Sequence, residues 1–183
     1  MKGFISMMML VFVFMLIAMA QGKDGERKFV GATKCKKCHK KVDQGEQFGK
    51  WEESKHSKAY ATLASDESKK IAKKKGIADP QKAEECLKCH LTAYNVDKKY
   101  LGTKYSVEEG VSCESCHGAG GDYYKKKTMK AIYKKELDGA KYGMLTPDEK
   151  LCKTCHNSES PTFKDFDYEK RKKEIAHSIP EKK

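Results

Sequence analysis

Apolar residues are scarce in this chain outside its first 20 positions. Hydrophobic residues make up 38% of the 183 positions and charged residues 35%, and the mean hydropathy is −0.79. Much of the apolar share lies in the N-terminal segment, so the rest of the chain has too little apolar surface to fold on its own side chains. The composition therefore excludes an ordinary hydrophobic core and indicates that something else supplies it.

Linker-like composition is also missing, because no stretch longer than a few residues has it. We therefore expect one domain, residues 21–183, after an N-terminal signal peptide of residues 1–20 that is cleaved before Gln21. The segment has one charge at Lys2, an apolar run, and Ala18-Met19-Ala20 as a small-x-small cleavage site. An uncleaved single-span anchor is the alternative, since about 18 apolar residues are at the lower limit of a membrane span. Either case predicts an exported protein, periplasmic in a bacterium.

Cysteine occurs only in four copies of one short motif, C-x-x-C-H, spaced by 51, 27 and 39 residues. This motif is the attachment signature of c-type haem, in which two thiols bind the vinyl groups and the histidine coordinates iron. Four of the six histidines follow a C-x-x-C directly, which two zinc sites made of four cysteines would not require. Disulfides are a further alternative. The motifs are Cys35–His39, Cys86–His90, Cys113–His117 and Cys152–His156.

Four motifs predict four covalently bound haem c groups and use every cysteine, so none is left for a disulfide. The predicted attachment residues are Cys35, Cys38, Cys86, Cys89, Cys113, Cys116, Cys152 and Cys155, and the iron ligands of the motifs are His39, His90, His117 and His156. With only 163 residues after the signal, the haems themselves would form most of the core.

The fold class predicted is mainly α, with little regular strand, as a compact multihaem cytochrome c fold. Helices are expected at 51–63, at 66–75 ending at Gly76, from Pro147 into the fourth motif, and at 167–176. A turn is expected at 118–121, and a short hairpin near 100–107 is the only candidate for strands.

Four further features of the sequence stand out besides the haem motifs. They are Trp51-x-x-Ser54-x-His56-x-x-Ala59, Tyr94 after the second motif, the run from Gly110 to Gly120, and a C-terminal helix ending in His177. In these features the chain resembles the tetrahaem cytochrome c-554 family of multihaem cytochromes. The resemblance implies a mainly helical fold and electron transfer.

Two histidines, His56 and His177, lie outside the motifs and are therefore the candidates for the sixth iron ligands. The resemblance implies that His56 ligates the fourth haem and His177 the third, with both histidines on helices, and that the second haem is five-coordinate. The family's ligand to the first haem, a histidine after the third motif, is absent here. By elimination we predict that Met129 takes its place opposite His39; the alternative is that Met129 is a hydrophobic contact.

The function predicted from these features is electron transfer between redox partners, so that the chain is a carrier rather than a catalyst. The alternative is a reductase of nitric oxide or hydroxylamine at an open haem, with Tyr94, Glu108, Glu109 or lysines as proton donors. A purely structural haem protein is a third class. A net charge of +12 favours acidic redox partners. Nothing indicates nucleic-acid binding, and membrane contact is expected only if the N-terminal segment is retained.

Overall fold

The computed structural model describes residues 27–177 and residue 179. The predicted signal peptide, residues 1–20, lies outside these residues, and so do residues 21–26 of the predicted domain. Short helices dominate the described part, which confirms the mainly α fold class. They are α1 (Ala32–His39), α2 (Gln47–Glu53), α3 (Ala59–Thr62), α4 (Asp66–Lys74), α5 (Glu84–His90), α6 (Cys113–His117), α7 (Lys126–Tyr133), α8 (Glu149–Lys153) and α9 (Tyr168–Ile175).

Within the described residues, five turns of 3₁₀ helix connect these α-helices. They are Val42–Gln44, Lys98–Tyr100, Val107–Glu109, Gly120–Asp122 and Gly139–Tyr142. The expected turn at 118–121 therefore leads into a 3₁₀ helix. The hairpin near 100–107 is wrong, because Leu101 pairs instead with Phe29 in an isolated parallel bridge.

The single helix expected at 51–63 is also wrong, since the structure divides it between α2 and α3. Ser54 ends α2 in an extended conformation, with φ −71° and ψ 164°. Its hydroxyl donates to the Trp51 carbonyl at 2.7 Å, and the Ser57 hydroxyl donates to the carbonyls of Glu52 and Ser54 at 2.9 Å. Serine hydroxyls thus compete with backbone amides for helical carbonyls, and His56 lies in the turn between the two helices.

The other helix predictions differ mainly at the ends. α4 is confirmed, since the Ser65 side chain caps its first turn and Gly76 follows it with φ +73°. α8 begins two residues later than expected, because Asp148 caps it by accepting from the Leu151 amide at 2.8 Å. α9 ends at Ile175, so His177 lies just beyond it rather than on it.

Buried side chains are few in the described part. The apolar ones are Val30, Ala32, Phe48, Leu63, Ala72 and Tyr123, and the polar ones are Thr92, Ser112 and Glu114. So small a set agrees with the expectation that protein side chains alone do not form the core. Among the described residues, no helix is both long and apolar enough to cross a membrane.

Candidate haem-binding sites

Each C-x-x-C-H motif lies on or at the end of a short helix. The first three motif helices, α1, α5 and α6, all end at the motif histidine. In the fourth motif Cys152 lies in α8 and the chain continues as a turn, with the His156 amide donating to the Cys152 carbonyl at 3.0 Å. A helical turn places the two thiols and the imidazole on one side of the backbone, as a covalently attached haem requires.

Two of the motif histidines face a second histidine. The rings of His156 and His56 have centroids 5.9 Å apart with an interplanar angle of 64°, and those of His117 and His177 are 5.9 Å apart at 63°. A metal–imidazole bond of about 2.0–2.1 Å puts the centroids of two imidazoles on opposite sides of one metal ion roughly 6 Å apart. Both pairs therefore leave room for one iron, so the residues fit the group that the motifs predict.

The protonation of these rings also suits ligation. Burial lowers the pKa of His56, and the neighbouring His156 lowers it further. Burial likewise lowers the pKa of His117, with His177 acting in the same direction and a hydrogen bond to the Leu145 backbone opposing it. These shifts favour the neutral imidazole, which is the form that binds a metal.

The other two motif histidines, His39 and His90, have no histidine ring opposite them in the described part. His90 donates from Nδ1 to the Ala59 carbonyl at 2.8 Å, and His39 donates from Nδ1 to Gln47 Oε1 at 3.1 Å. Such a bond fixes the tautomer and leaves Nε2 as the free ligand atom. His39 and His90 can thus each bind an iron through Nε2.

Met129 lies half-buried on α7. None of the hydrogen bonds or ring contacts among the described residues joins it to His39, so Met129 as a ligand of the first haem stays a prediction.

The thiols show which motifs are neighbours in space. Contact with the Cys113 thiol, together with burial, raises the pKa of Cys35. Burial and the adjacent Cys155 thiol raise the pKa of Cys89 to about 11. Burial also raises the pKa of Cys116, with Cys152 as the next cause. These effects place the first motif beside the third, the second beside the fourth, and the third near the fourth.

The described residues include every side chain that the zinc and disulfide alternatives would use. All eight cysteines and all six histidines belong to the described residues, and the cysteines are free thiols there. Within 27–177 and 179, no three His, Cys, Asp or Glu side chains converge on a position where they could hold one metal ion. A structural zinc site needs four such ligands.

Several supporting residues could not be recognised from the sequence. The Phe166 ring stacks on His156 with centroids 4.6 Å apart and an angle of 15°. Thr92 Oγ1 accepts from the Ser112 amide at 2.7 Å and donates to the Gly110 carbonyl at 2.8 Å, which joins the second motif to the third. Glu114 lies inside the third motif and binds backbone amides of the segment before α1. Only the contacts reveal these roles, since nothing in the local pattern marks them.

The motif helices, the paired histidine rings and the preset Nδ1 bonds together define a c-type cytochrome with covalently bound haem. Comparison with known proteins agrees. Residues 34–118, which contain the first three motifs, match the family described as "Cytochrome c554 and c-prime". The chain is also similar to cytochrome c-554 of Nitrosomonas europaea, with 33% identity over 159 residues.

That match covers 79% of this chain and 64% of the relative, so the chain spans less than two thirds of the relative's length. No solved structure gives a significant match. Both comparisons support the assignment of this chain to the cytochrome c554 family.

Proposed function

We propose that this chain is an exported, periplasmic tetrahaem cytochrome that carries electrons between redox partners. The observation that supports it most strongly is the two pairs of facing histidine rings, whose centroids lie 5.9 Å apart in each pair. Two protein ligands on one iron leave no open position for a substrate, which suits electron transfer rather than catalysis. The four C-x-x-C-H motifs support the count of four haems.

The roles of the side chains follow from the motifs. The eight motif cysteines would hold the haems as thioethers, and the motif histidines would bind iron through Nε2. His56 and His177 would supply the second ligands at the fourth and third sites. When bound, haem iron supplies one-electron exchange, and the protein adjusts it through axial ligands, burial and nearby charge.

The spatial order of the attachment sites also supports carriage. The thiols of Cys35 and Cys113, from the first and third sites, lie close enough to change each other's pKa, and the Cys155 thiol of the fourth site raises the pKa of Cys89 in the second. The Lys88 ammonium adds an ion pair with Glu159 between the second motif and the segment after the fourth. Such a row of adjacent sites suits a chain that accepts an electron at one end and passes it on at the other.

An acidic redox protein is the partner that the charge favours. The net charge is +12, or +11 once Lys2 leaves with the signal peptide. A positive surface attracts an acidic protein over about the Debye length, roughly 8–10 Å in physiological salt, so association should slow as salt rises.

Reduction of a small nitrogen compound is the second candidate. The observation that favours it concerns His39 and His90, which have no histidine ring opposite them among the described residues. An iron bound to either residue would then have no second histidine ligand. The acid groups nearby give it less support. Burial raises the pKa of Tyr94, with Glu84 and Glu85 as further causes, so the Tyr94 hydroxyl is a weaker acid and a poorer proton donor. Both oxygens of Glu109 accept from the Ala32 amide.

A stopped-flow experiment separates the two candidates. Reduced protein is mixed with a small acidic one-electron acceptor protein at rising ionic strength, with a basic acceptor protein as the control, and separately with hydroxylamine or nitric oxide. Carriage predicts rapid oxidation by the acidic acceptor that slows with salt, and no steady turnover of the nitrogen compounds. Sustained turnover of either compound, with slow exchange with both acceptors, would support the reductase instead.

A further inference from the structure

The first motif helix, α1, has no cap of its own. Its N-cap residue is Gly31, which has no side chain to accept a hydrogen bond, and its first turn contains no acidic residue. The first amides of a helix need acceptors from elsewhere when they are buried. Val30 and Ala32, at the start of this helix, are both buried.

Two carboxylates from a distant segment meet this need. Glu114 accepts from the amides of Val30 and Gly31, both at 2.8 Å. Glu109 accepts from the Ala32 amide with both oxygens, at 3.0 and 2.9 Å. These contacts join residues 77 to 84 positions apart in the chain.

Glu114 is the more enclosed of the two, with 3% of its surface exposed. It also accepts from the Gly120 amide at 2.6 Å, so three backbone donors surround its carboxylate. Among the described residues no lysine or arginine forms an ion pair with it. Hydrogen bonds from amides stabilise the charged form of a carboxylate, whereas a cation would also cancel its charge. Among the described residues, the Glu114 carboxylate is therefore held by backbone amides and not by a cation.

The Glu114 carboxylate lies close to two haem attachment sites. Glu114 follows Cys113 directly in the third motif, and α6, which carries both residues, packs against α1 of the first motif. The two carboxylates thus lie between the first and the third attachment sites. A buried negative charge near a haem favours the oxidised iron, because oxidation adds one positive charge.

We propose that Glu114 and Glu109 are positioning residues that fix the first motif helix against the third and lower the reduction potentials of the haems attached at these two sites. The proposal rests on the proposed function, since it requires haems at both motifs. A charge buried within about 10 Å of a redox centre changes its equilibrium by roughly tenfold at an effective dielectric constant of about 20. For one electron, tenfold corresponds to about 59 mV.

The test is a redox titration of the holoprotein at pH 8, followed by absorption and by EPR, for Glu114→Gln and Glu109→Gln. The matched control is Glu108→Gln, since Glu108 is an exposed neighbour in the same 3₁₀ helix as Glu109. We expect two of the four potentials to rise in Glu114→Gln, which corresponds to about a tenfold shift of the reduction equilibrium. The rise should be smaller in Glu109→Gln, because Glu109 is less enclosed. The control should show no change.

Aspartate variants separate charge from position, because Glu→Asp keeps the charge and shortens the reach. If the Asp variants raise the potentials as much as the Gln variants, the proposed effect of charge is wrong. Should Glu114→Gln fail to mature, Glu109→Gln still decides the question. Intact mass of each protein keeps the two proposals apart: haem missing from the wild type refutes the proposed function, whereas four haems with unchanged potentials in both Gln variants refute only this inference.

Discussion

Gly110→Ala should disturb the fourth haem site although Gly110 is not a ligand. Gly110 has φ +57° and ψ −127°, a conformation that residues with a side chain rarely adopt. A Cβ atom there would lie 2.8 Å from the His56 carbonyl oxygen and 3.1 Å from the amide nitrogens of Ala59 and Tyr60. All three neighbours are backbone atoms, so the substitution must move the segment that carries His56.

The expected cost is large. Backbone strain of about 1–3 kcal/mol and overpacking of about 1–3 kcal/mol together give roughly 2–6 kcal/mol of destabilisation. The matched control is Gly76→Ala, since Gly76 also has positive φ, +73°, but a Cβ there meets nothing within 4 Å. The control should cost only about 1–2 kcal/mol, from the left-handed conformation alone.

Guanidinium unfolding of the two holoproteins measures the difference in stability, and EPR of the oxidised proteins measures the spin state. We expect Gly110→Ala to unfold at clearly lower denaturant than Gly76→Ala and to convert part of one low-spin signal to high spin. If the two variants lose equal stability and both EPR spectra are unchanged, a Cβ at position 110 does not displace the His56 segment and the reasoning is wrong.

Three further predictions concern the ligands and the polar core. His56→Ala and His177→Ala should each convert one low-spin haem to high spin and raise its potential, because a strong imidazole ligand is lost; an unchanged EPR spin count would exclude that histidine as a ligand. Met129→Ala should abolish a weak far-red charge-transfer band of the oxidised protein, and a wild type without this band, showing two high-spin haems, would contradict methionine ligation. Thr92→Val should destabilise the protein by about 2–3 kcal/mol in denaturant unfolding, since the Ser112 amide loses its buried acceptor; the exposed Thr103→Val is the control, and a similar loss in both would contradict this role.

Features that depend on a short stretch of neighbouring residues could be predicted from the sequence. The four motifs stand out because every cysteine belongs to one, and α4 could be placed because Gly76 ends it. The helical class followed from the same local signals, and its limits at α8 and α9 differed from expectation by two residues or fewer. Local capping decides these features, so they do not depend on the rest of the fold.

Features that depend on distant contacts could not be predicted. The break between α2 and α3 depends in part on Val111, whose amide donates to the His56 carbonyl at 3.0 Å. The spacing of the histidines left open which of them face each other, and that pairing was expected only from the family resemblance. The role of Glu114 could not be predicted from the third motif, because two of the three amides that it binds, those of Val30 and Gly31, lie more than 80 residues earlier.

The intact mass of the mature protein tests the central claim most directly. The account predicts one species whose mass equals residues 21–183 plus four covalently bound haems, with all eight cysteines resistant to thiol-alkylating reagents. A correctly matured protein with fewer than four haems, or one that carries zinc with alkylatable cysteines, would contradict the account.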